Sequence, residues 1–219
     1  MNDDAFWALI DELSRRPGDR DERLEWLRTE LLRRPADESV EFQVRLEAAC
    51  EVAGTRAVRR AANLIEGGDC TDDGFHYFTL WLVGQGRKVY ESVVSDPDAL
   101  ADVPEVRALV GRHRNEWDDD EWPEWEELDY VAQDAFDELT GQEDDDGEEF
   151  LDAVEEVAEE LADELADDLS GEFSDGFADA LPGDPTRGWE EGDGPRGARP
   201  EGVATPRLAA LFPAVTSGS

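Results

Sequence analysis

The sequence predicts an all-α fold, a compact multi-helix bundle with a long acidic amphipathic helix and a disordered C-terminal tail. Three observations lead to this prediction. Apolar residues recur at i, i+3, i+4 and i+7 in successive segments, which is the spacing of one helix face. Capping residues and Gly or Pro stops bound these segments. No segment shows a convincing strand-like alternation of apolar and polar residues.

Four helices are predicted before the Gly67-Gly68 pair. Asp, Asn and Thr favour helix starts, because their side chains accept hydrogen bonds from the first unpaired backbone N–H groups. Gly and Pro favour helix ends, because neither continues a helix well. The predicted bounds are Asn2 or Asp3 to Pro17, about 21 to 34, Asp37 to Gly54, and Thr55 to Gly67.

The remaining helices follow the same logic, and residues 111–122 are predicted to be a surface connection between two of them. Proline suits the first position of a helix, where its missing N–H costs nothing. The predicted bounds are Thr71 or Asp72 to Gly84, a short helix around 89–93, a turn at 96–98, a helix opened by Pro104, one from Pro123 to Gly141, and a long one over 148–170.

Composition divides the chain into three parts. We predict a helical domain over residues 1–141, an acidic helix docked on it over 142–170, and a Gly/Pro-rich flexible tail over 171–219. The docking is expected because the acidic helix carries an apolar stripe that needs a partner surface. Near the end of the tail, the apolar stretch PRLAALFPAV is a candidate anchor that folds back onto the domain.

The net charge of -38 is concentrated in one region. Residues 115–186 contain 31 Asp or Glu and no Lys or Arg, whereas the other 147 residues contain 27 acids and 20 bases. A field of this sign repels nucleic acid and anionic membrane, since both are polyanions. We therefore expect no direct nucleic-acid binding and no membrane association, and a basic protein is the partner that the charge favours.

The stretch GGDCTDDGFHYFTLWLVGQGR, residues 67–87, is the most distinctive in the chain. One interpretation makes it the pivot of the bundle, with Trp81 in or beside the core and Arg87 paired to an aspartate such as Asp73. The other makes it a polar pocket. The candidate binding residues under that second interpretation are Asp72, Asp73, Trp81, Gln85 and Arg87.

We predict no catalytic residue, no metal site and no cofactor. The two histidines, His76 and His113, lack a second ligand at zinc-binding spacing. Cys70 lies near a helix N-terminus, which lowers a thiol pKa, but neighbouring carboxylates act in the opposite direction. Phosphate-binding loops and nucleophile-elbow motifs are absent from the sequence.

Residues 67–100, together with DAFWALIDE near the N-terminus and WEELDYVAQDAFDELTG further on, resemble the bacterial family known as domain of unknown function 4240. The resemblance covers roughly residues 4–141. It implies a helical domain and no assigned activity. The residues that carry it are Phe6, Trp7, Ile10, Gly67, Gly68, Asp72, Asp73, Gly74, Phe75, Trp81, Leu82, Gly84, Gly86, Arg87, Pro97, Asp98 and Leu100.

Three functional hypotheses remain open at this point. The leading one is a cytoplasmic, non-enzymatic binding or regulatory module, because no complete catalytic constellation is present. The first alternative is an enzyme or small-ligand binder that uses Asp72, Asp73, Gln85 and Arg87 around a pocket. The second is an acidic mimic of a nucleic-acid surface, formed by the carboxylates of the 148–170 helix.

Overall fold

The computed structural model describes residues 1–68, 70–141, 147–172 and 205–213, with side chains given up to residue 161 in the third range. Helices dominate these ranges, and no strand occurs in them, so the predicted all-α class is confirmed. Most of the predicted flexible tail lies outside the described residues. The helices are α1 Asp3–Arg15, α2 Arg20–Leu31, α3 Ala36–Ala53, α4 Arg56–Glu66, α5 Asp72–Gly84, α6 Arg87–Ser95, α7 Pro104–Ala108, α8 Val131–Thr140, α9 Glu148–Glu172 and α10 Pro206–Leu211.

Short 3-10 helices connect several of the longer elements. They are η1 Pro97–Asp102, η2 Arg114–Glu116, η3 Asp119–Glu121 and η4 Glu126–Asp129. The second and third occupy the predicted surface connection, which is less exposed than expected. Trp117 is only 7% exposed and packs edge-on against Trp122, with 4.9 Å between the ring centres. This aromatic pair holds the connection against the domain.

Side-chain caps start several helices as the sequence predicts. Asn2 accepts a hydrogen bond from the backbone N–H of Ala5 at 2.9 Å, and Thr71 accepts one from Gly74 at 3.0 Å. The predicted cap of α3 is wrong, because Pro35 occupies that position and Asp37 lies inside the first turn. There Asp37 faces the positive end of the helix dipole, which stabilises the helix without capping it.

α5 is the central helix of the domain. It contacts α1, α3, α4, α6 and η4. A helix that is apolar on all sides is expected to be surrounded by other elements, and this is the case here. Trp81 is 2% exposed, so its predicted place in the core is confirmed. The other buried large apolar residues of α5 are Phe75, Phe78, Leu80, Leu82 and Val83.

The helix predicted from Pro123 is shorter than expected and begins at Val131. Trp125 has a non-helical backbone, with φ of -145° and ψ of 72°, and its N–H donates to the carbonyl of Tyr77 in α5 at 3.0 Å. Its indole is 1% exposed. Burial of this side chain against α5 overrides the local preference for helix.

The first turns of the acidic helix α9 pack against α3 and α8. Phe150 and Val154 are buried, and the Phe150 ring lies 5.4 Å from that of Phe136. Further along the chain, α10 packs against η1 and α4, and Leu208 is completely buried. The apolar pattern of PRLAALFPAV thus corresponds, over its described part, to a helix that folds back onto the domain.

Candidate functional site

The residues of the predicted polar pocket lie at opposite ends of α5. Asp72 and Asp73 are in its first turn, whereas Gln85 and Arg87 follow its last residue. Thirteen residues at about 1.5 Å each separate the two ends by about 20 Å. The structure therefore does not bring these four side chains together. Trp81 lies between them, inside the core.

At the start of α5, Asp72 faces solvent and forms an ion pair with Arg59 of α4 at 2.7 Å. The guanidinium of Arg59 also lies over the ring of Phe75, 4.6 Å from its centre. One turn later, His76 pairs with Asp129 of η4, with Nε2 and Oδ2 3.0 Å apart. These contacts fasten α5 to its neighbours.

At the other end, Gly84 lies directly against the indole of Trp125. A Cβ added to Gly84 would come within 2.6 Å of two ring carbons, which no real structure tolerates. Gly86 follows with a φ of +93°, and a Cβ there would lie 2.9 Å from Ser14 of α1. Both glycines thus allow close packing between elements.

Arg87 completes this packing. Its backbone N–H donates to Asp11 at 2.8 Å, and its guanidinium pairs with Asp4 at 3.2 Å and Glu91 at 2.8 Å. The expected partner Asp73 is therefore replaced by acids of α1 and of α6 itself, because α6 turns back toward the N-terminal helix. Among the described residues, the side-chain amide of Gln85 donates one hydrogen bond, to the carbonyl of Trp81 at a long 3.4 Å.

A large cleft lies elsewhere, where the C-terminal end of α4, residues 111–117 and α10 meet. It encloses about 910 Å³, a volume typical of small-molecule sites. Three arginines and one histidine line it, although the chain as a whole carries a net charge of -38. These cationic and titratable residues are Arg60, Arg112, His113 and Arg114.

The three arginines of this cleft differ in the contacts that they make. Arg112 binds both carboxylate oxygens of Glu121, at 2.5 and 2.7 Å. Arg114 lies over the backbone of Gly67, where an added Cβ would overlap its guanidinium. Gly67 also has a φ of +71°, so glycine is required there both for conformation and for room. Arg60 is exposed and pairs with no residue in the described ranges.

The rest of the cleft wall is mostly apolar. Trp117 contributes its indole, and its Nε1–H is buried without a hydrogen-bond acceptor among the described residues. A buried unpaired donor costs roughly 1–3 kcal/mol, and because this nitrogen is shielded from solvent, Trp117 offers the cleft the apolar part of its ring. The other apolar residues of the wall are Leu64, Ile65, Leu211, Phe212 and Pro213.

Glu66 and Cys70 are buried or partly buried beside this cleft. Burial raises the pKa of Glu66 from its ordinary value of 4.5 to about 7, and Glu124 raises it further, although a hydrogen bond with Cys70 and the charge of Arg114 lower it. Burial and the neighbouring Glu66 raise the pKa of the Cys70 thiol to about 12. The thiol is therefore protonated at neutral pH and unsuited to nucleophilic attack.

A smaller cleft of about 410 Å³ has the opposite character. Four acids line it, together with Arg20, which donates to the backbone carbonyls of Trp122 and Glu124, both at 2.5 Å. Arg20 is thus already engaged in holding the connection before η4. The four acids are Asp119, Glu124, Glu126 and Glu127.

Sequence reasoning did not select the residues of the cationic cleft. The sequence predicts a surface connection over residues 111–122 and a helix from Thr55 to Gly67, and neither prediction indicates a binding site. A signal was nevertheless present, because Gly111-Arg112-His113-Arg114 is a basic cluster that directly precedes the stretch without Lys or Arg.

In the described ranges, no group of three or more His, Cys, Asp or Glu side chains could hold a metal ion. The helices described there include none with the length and apolar character to cross a membrane.

The raised pKa of Glu66 predicts a pH-dependent effect of Glu66→Gln. In the folded state the carboxyl keeps its proton up to about pH 7, whereas in the unfolded chain it ionises near 4.5. The folded state therefore loses stability as pH rises from 4.5 to 7, by roughly 3 kcal/mol in total. We expect Glu66→Gln to raise the free energy of unfolding markedly at about pH 8 and much less at about pH 5, measured by urea denaturation.

Glu51→Gln is the matched control, because Glu51 is exposed on α3. It should change the free energy of unfolding little at either pH. An equal gain for Glu66→Gln at both pH values would contradict the interpretation.

Comparison with known proteins agrees with the family resemblance that the sequence motifs indicate. A family model described as protein of unknown function (DUF4240) matches residues 1–138. No match to the chain was found among curated proteins or among solved structures. The matched region contains the glycine and aspartate motifs on both ends of α5 and the helices around them. The chain therefore belongs to the DUF4240 family.

Proposed function

We propose that this protein is a non-enzymatic binding module, and that its ligand is an anionic compound with an apolar body that occupies the cationic cleft. The observation that carries the proposal is the composition of that cleft. Three arginines meet a mostly apolar wall that includes the indole of Trp117, in a chain that is otherwise strongly acidic. A ligand that satisfies both features is anionic at one end and apolar elsewhere.

The anionic end is assigned to the Arg60 side of the cleft. A guanidinium offers a planar fork of donors that matches carboxylate or phosphate oxygens. Arg112 already uses its fork on Glu121, and Arg114 lies against Gly67. Arg60 makes no ion pair within the described ranges, so its fork is available to a ligand.

The apolar part of the ligand is assigned to the wall formed by Trp117 and the end of α10. Phe212 and Leu211 are half-buried there and leave apolar surface facing the cleft. Removing such surface from water contributes roughly 25 cal/mol per Å² to binding. The guanidinium of Arg60 at one end of this wall would fix the orientation of the ligand, as a few polar groups do in most small-molecule sites.

The chemistry near the cleft supports binding in preference to catalysis. The Cys70 thiol is protonated at neutral pH, and Nδ1 of His113, the histidine that lines the cleft, accepts a hydrogen bond from the backbone N–H of Asn115 at 3.3 Å. The first alternative, a pocket of Asp72, Asp73, Gln85 and Arg87, has no geometric support because α5 separates its members. We place the module in the cytoplasm, where the free cysteines Cys50 and Cys70 would remain reduced.

The indole N–H resonance of Trp117 provides the test. We expect phenyl phosphate or octanoate to shift this resonance in ¹⁵N-edited NMR spectra, and the neutral octanamide to shift it far less. Arg60→Ala should weaken anion binding about fivefold to tenfold, since it removes a partly solvated charged hydrogen bond. The same spectra taken across a titration give the dissociation constant.

Arg56→Ala is the matched control, because Arg56 is also exposed on α4 but does not line the cleft. The proposal fails if no anion shifts the resonance, if octanamide acts as strongly as octanoate, or if Arg56→Ala and Arg60→Ala have the same effect.

A second proposal concerns α9 as an acidic mimic of a nucleic-acid surface. All seven acids among its described side chains are exposed, and α9 contains no basic residue. Such a face attracts a basic protein through a salt-sensitive field. These acids are Glu148, Glu149, Asp152, Glu155, Glu156, Glu159 and Glu160.

Competition with DNA tests this second proposal. At low salt the protein should release duplex DNA from a histone–DNA complex, because its carboxylates replace the phosphates. Replacing Glu155, Glu156, Glu159 and Glu160 by Gln should weaken the release about tenfold, at about 1 kcal/mol or less for each exposed charge. Equal release after the same change at four exposed glutamates outside α9 would rule out a specific role for this face; the four are Glu22, Glu25, Glu51 and Glu105.

A further inference from the structure

The C-terminal helix α10 occupies a groove between η1 and α4. It has only six residues, Pro206–Leu211, which is too short for a helix to be stable alone in water. Its conformation therefore depends on the groove. Three kinds of contact hold α10 in the groove: hydrogen bonds to its backbone, an ion pair, and apolar packing.

The groove supplies a cap for the first turn of α10. Asp98 of η1 is 5% exposed, and its Oδ1 accepts hydrogen bonds from the backbone N–H groups of Arg207 and Leu208, each at 3.0 Å. The start of a helix normally takes such bonds from its own N-cap side chain. Thr205 makes no such bond here, so the cap comes from the domain.

The side chains of α10 add charge and apolar contacts. Arg207 forms an ion pair with Asp102, which lies at the end of η1. Leu208 is completely buried, while Leu211 and Phe212 are packed against the core with part of their surface exposed. A buried leucine contributes about 1.5–3 kcal/mol relative to an exposed one. Leu208 is thus the main apolar anchor.

The groove and its occupant belong to different parts of the chain. Asp98 and Leu100 lie in the Pro-Asp-Ala-Leu segment inside the region matched by the family model, which ends at residue 138. The helix begins 68 residues after that end. The family domain therefore supplies the acceptor, a buried carboxylate beside an apolar slot, and a segment distant in sequence fills it.

We propose that the groove between η1 and α4 is a binding site for a short helical peptide that begins Pro-Arg-Leu, and that residues 205–213 are its resident, exchangeable ligand. The carboxylate of Asp98 accepts from the free N–H groups at the start of the peptide helix, and that of Asp102 pairs with the Arg. The apolar slot accepts the Leu. This mode of recognition is an amphipathic helix in a groove. This proposal does not depend on which ligand the cationic cleft binds, although α10 forms one wall of that cleft.

The test uses the full chain with its own helix released by Leu208→Asp, which places a charge in the slot. The probe is a fluorescein-labelled peptide of residues 205–213, TPRLAALFP, followed by fluorescence anisotropy. The released chain should bind the peptide saturably. The wild-type chain should bind it at least about tenfold more weakly, because an attached helix competes at an effective concentration near the millimolar range.

Two controls separate the groove from other surfaces. The probe peptide carrying Leu208→Asp should not bind, and adding Asp98→Ala to the released chain should weaken binding about tenfold by removing the cap. Circular dichroism melts check that each variant is folded. If Leu208→Asp unfolds the chain, Arg207→Glu is the second release variant, since it places like charges opposite Asp98 and Asp102.

The proposal is overturned if the released chain is folded and does not bind the peptide at about 1 mM, the weak limit for a specific contact. It is also overturned if wild-type and released chains bind it equally, because the peptide would then use another surface. A two-chain species of the wild type that dissociates when the peptide is added would support the proposal, with the helix exchanged between copies.

Discussion

The contact between Gly84 and Trp125 is the constraint on which the arrangement of the helices depends. The indole lies so close to the end of α5 that any side chain on residue 84 would overlap it. This approach places η4 against α5, directs Trp125 into the core, and delays the start of α8 until Val131. The motif glycine is thus explained by packing. Interiors packed to the density of crystals admit few such substitutions, so a single missing Cβ can fix the position of several elements.

The surroundings of α5 explain why its polar motif residues form no pocket. Most of the helix is buried, and the polar motif residues Asp72 and Arg87 lie near its opposite ends, where each engages a different neighbour. Asp72 pairs with Arg59 of α4, and Arg87 pairs with acids of α1 and α6. Arg60 of α4 lies instead with Arg112 and Arg114 in the cleft beside α10. Because α10 forms part of that cleft and also fills the groove on η1, the two proposed sites share one element, and exchange of α10 would alter the cleft; any such linkage is reciprocal.

The sequence predicted those features that depend on neighbouring residues. The start of α5 at Thr71, its end near Gly84 and the start of α7 at Pro104 all follow from caps and stops within a few residues. The start of α8 was misplaced because a contact with Tyr77 of α5, far earlier in the chain, sets the backbone of Trp125. The cationic cleft could not be predicted for the same reason, since α4, residues 111–117 and α10 meet only in the folded chain. Gly67 was recognised as a helix stop, but nothing local to it indicates that Arg114 lies upon it.

A double-mutant cycle on Gly84 and Trp125 tests the central claim most directly. Gly84 does not have a positive φ, so alanine there is conformationally acceptable and gains about 1 kcal/mol of helix propensity. Urea denaturation of the wild type, Gly84→Ala, Trp125→Leu and the double variant gives the four free energies of unfolding. If packing against the indole requires glycine, Gly84→Ala destabilises the wild type by about 1–3 kcal/mol through overpacking and is neutral or stabilising in the Trp125→Leu background. A cost of Gly84→Ala that is the same in both backgrounds would contradict the account.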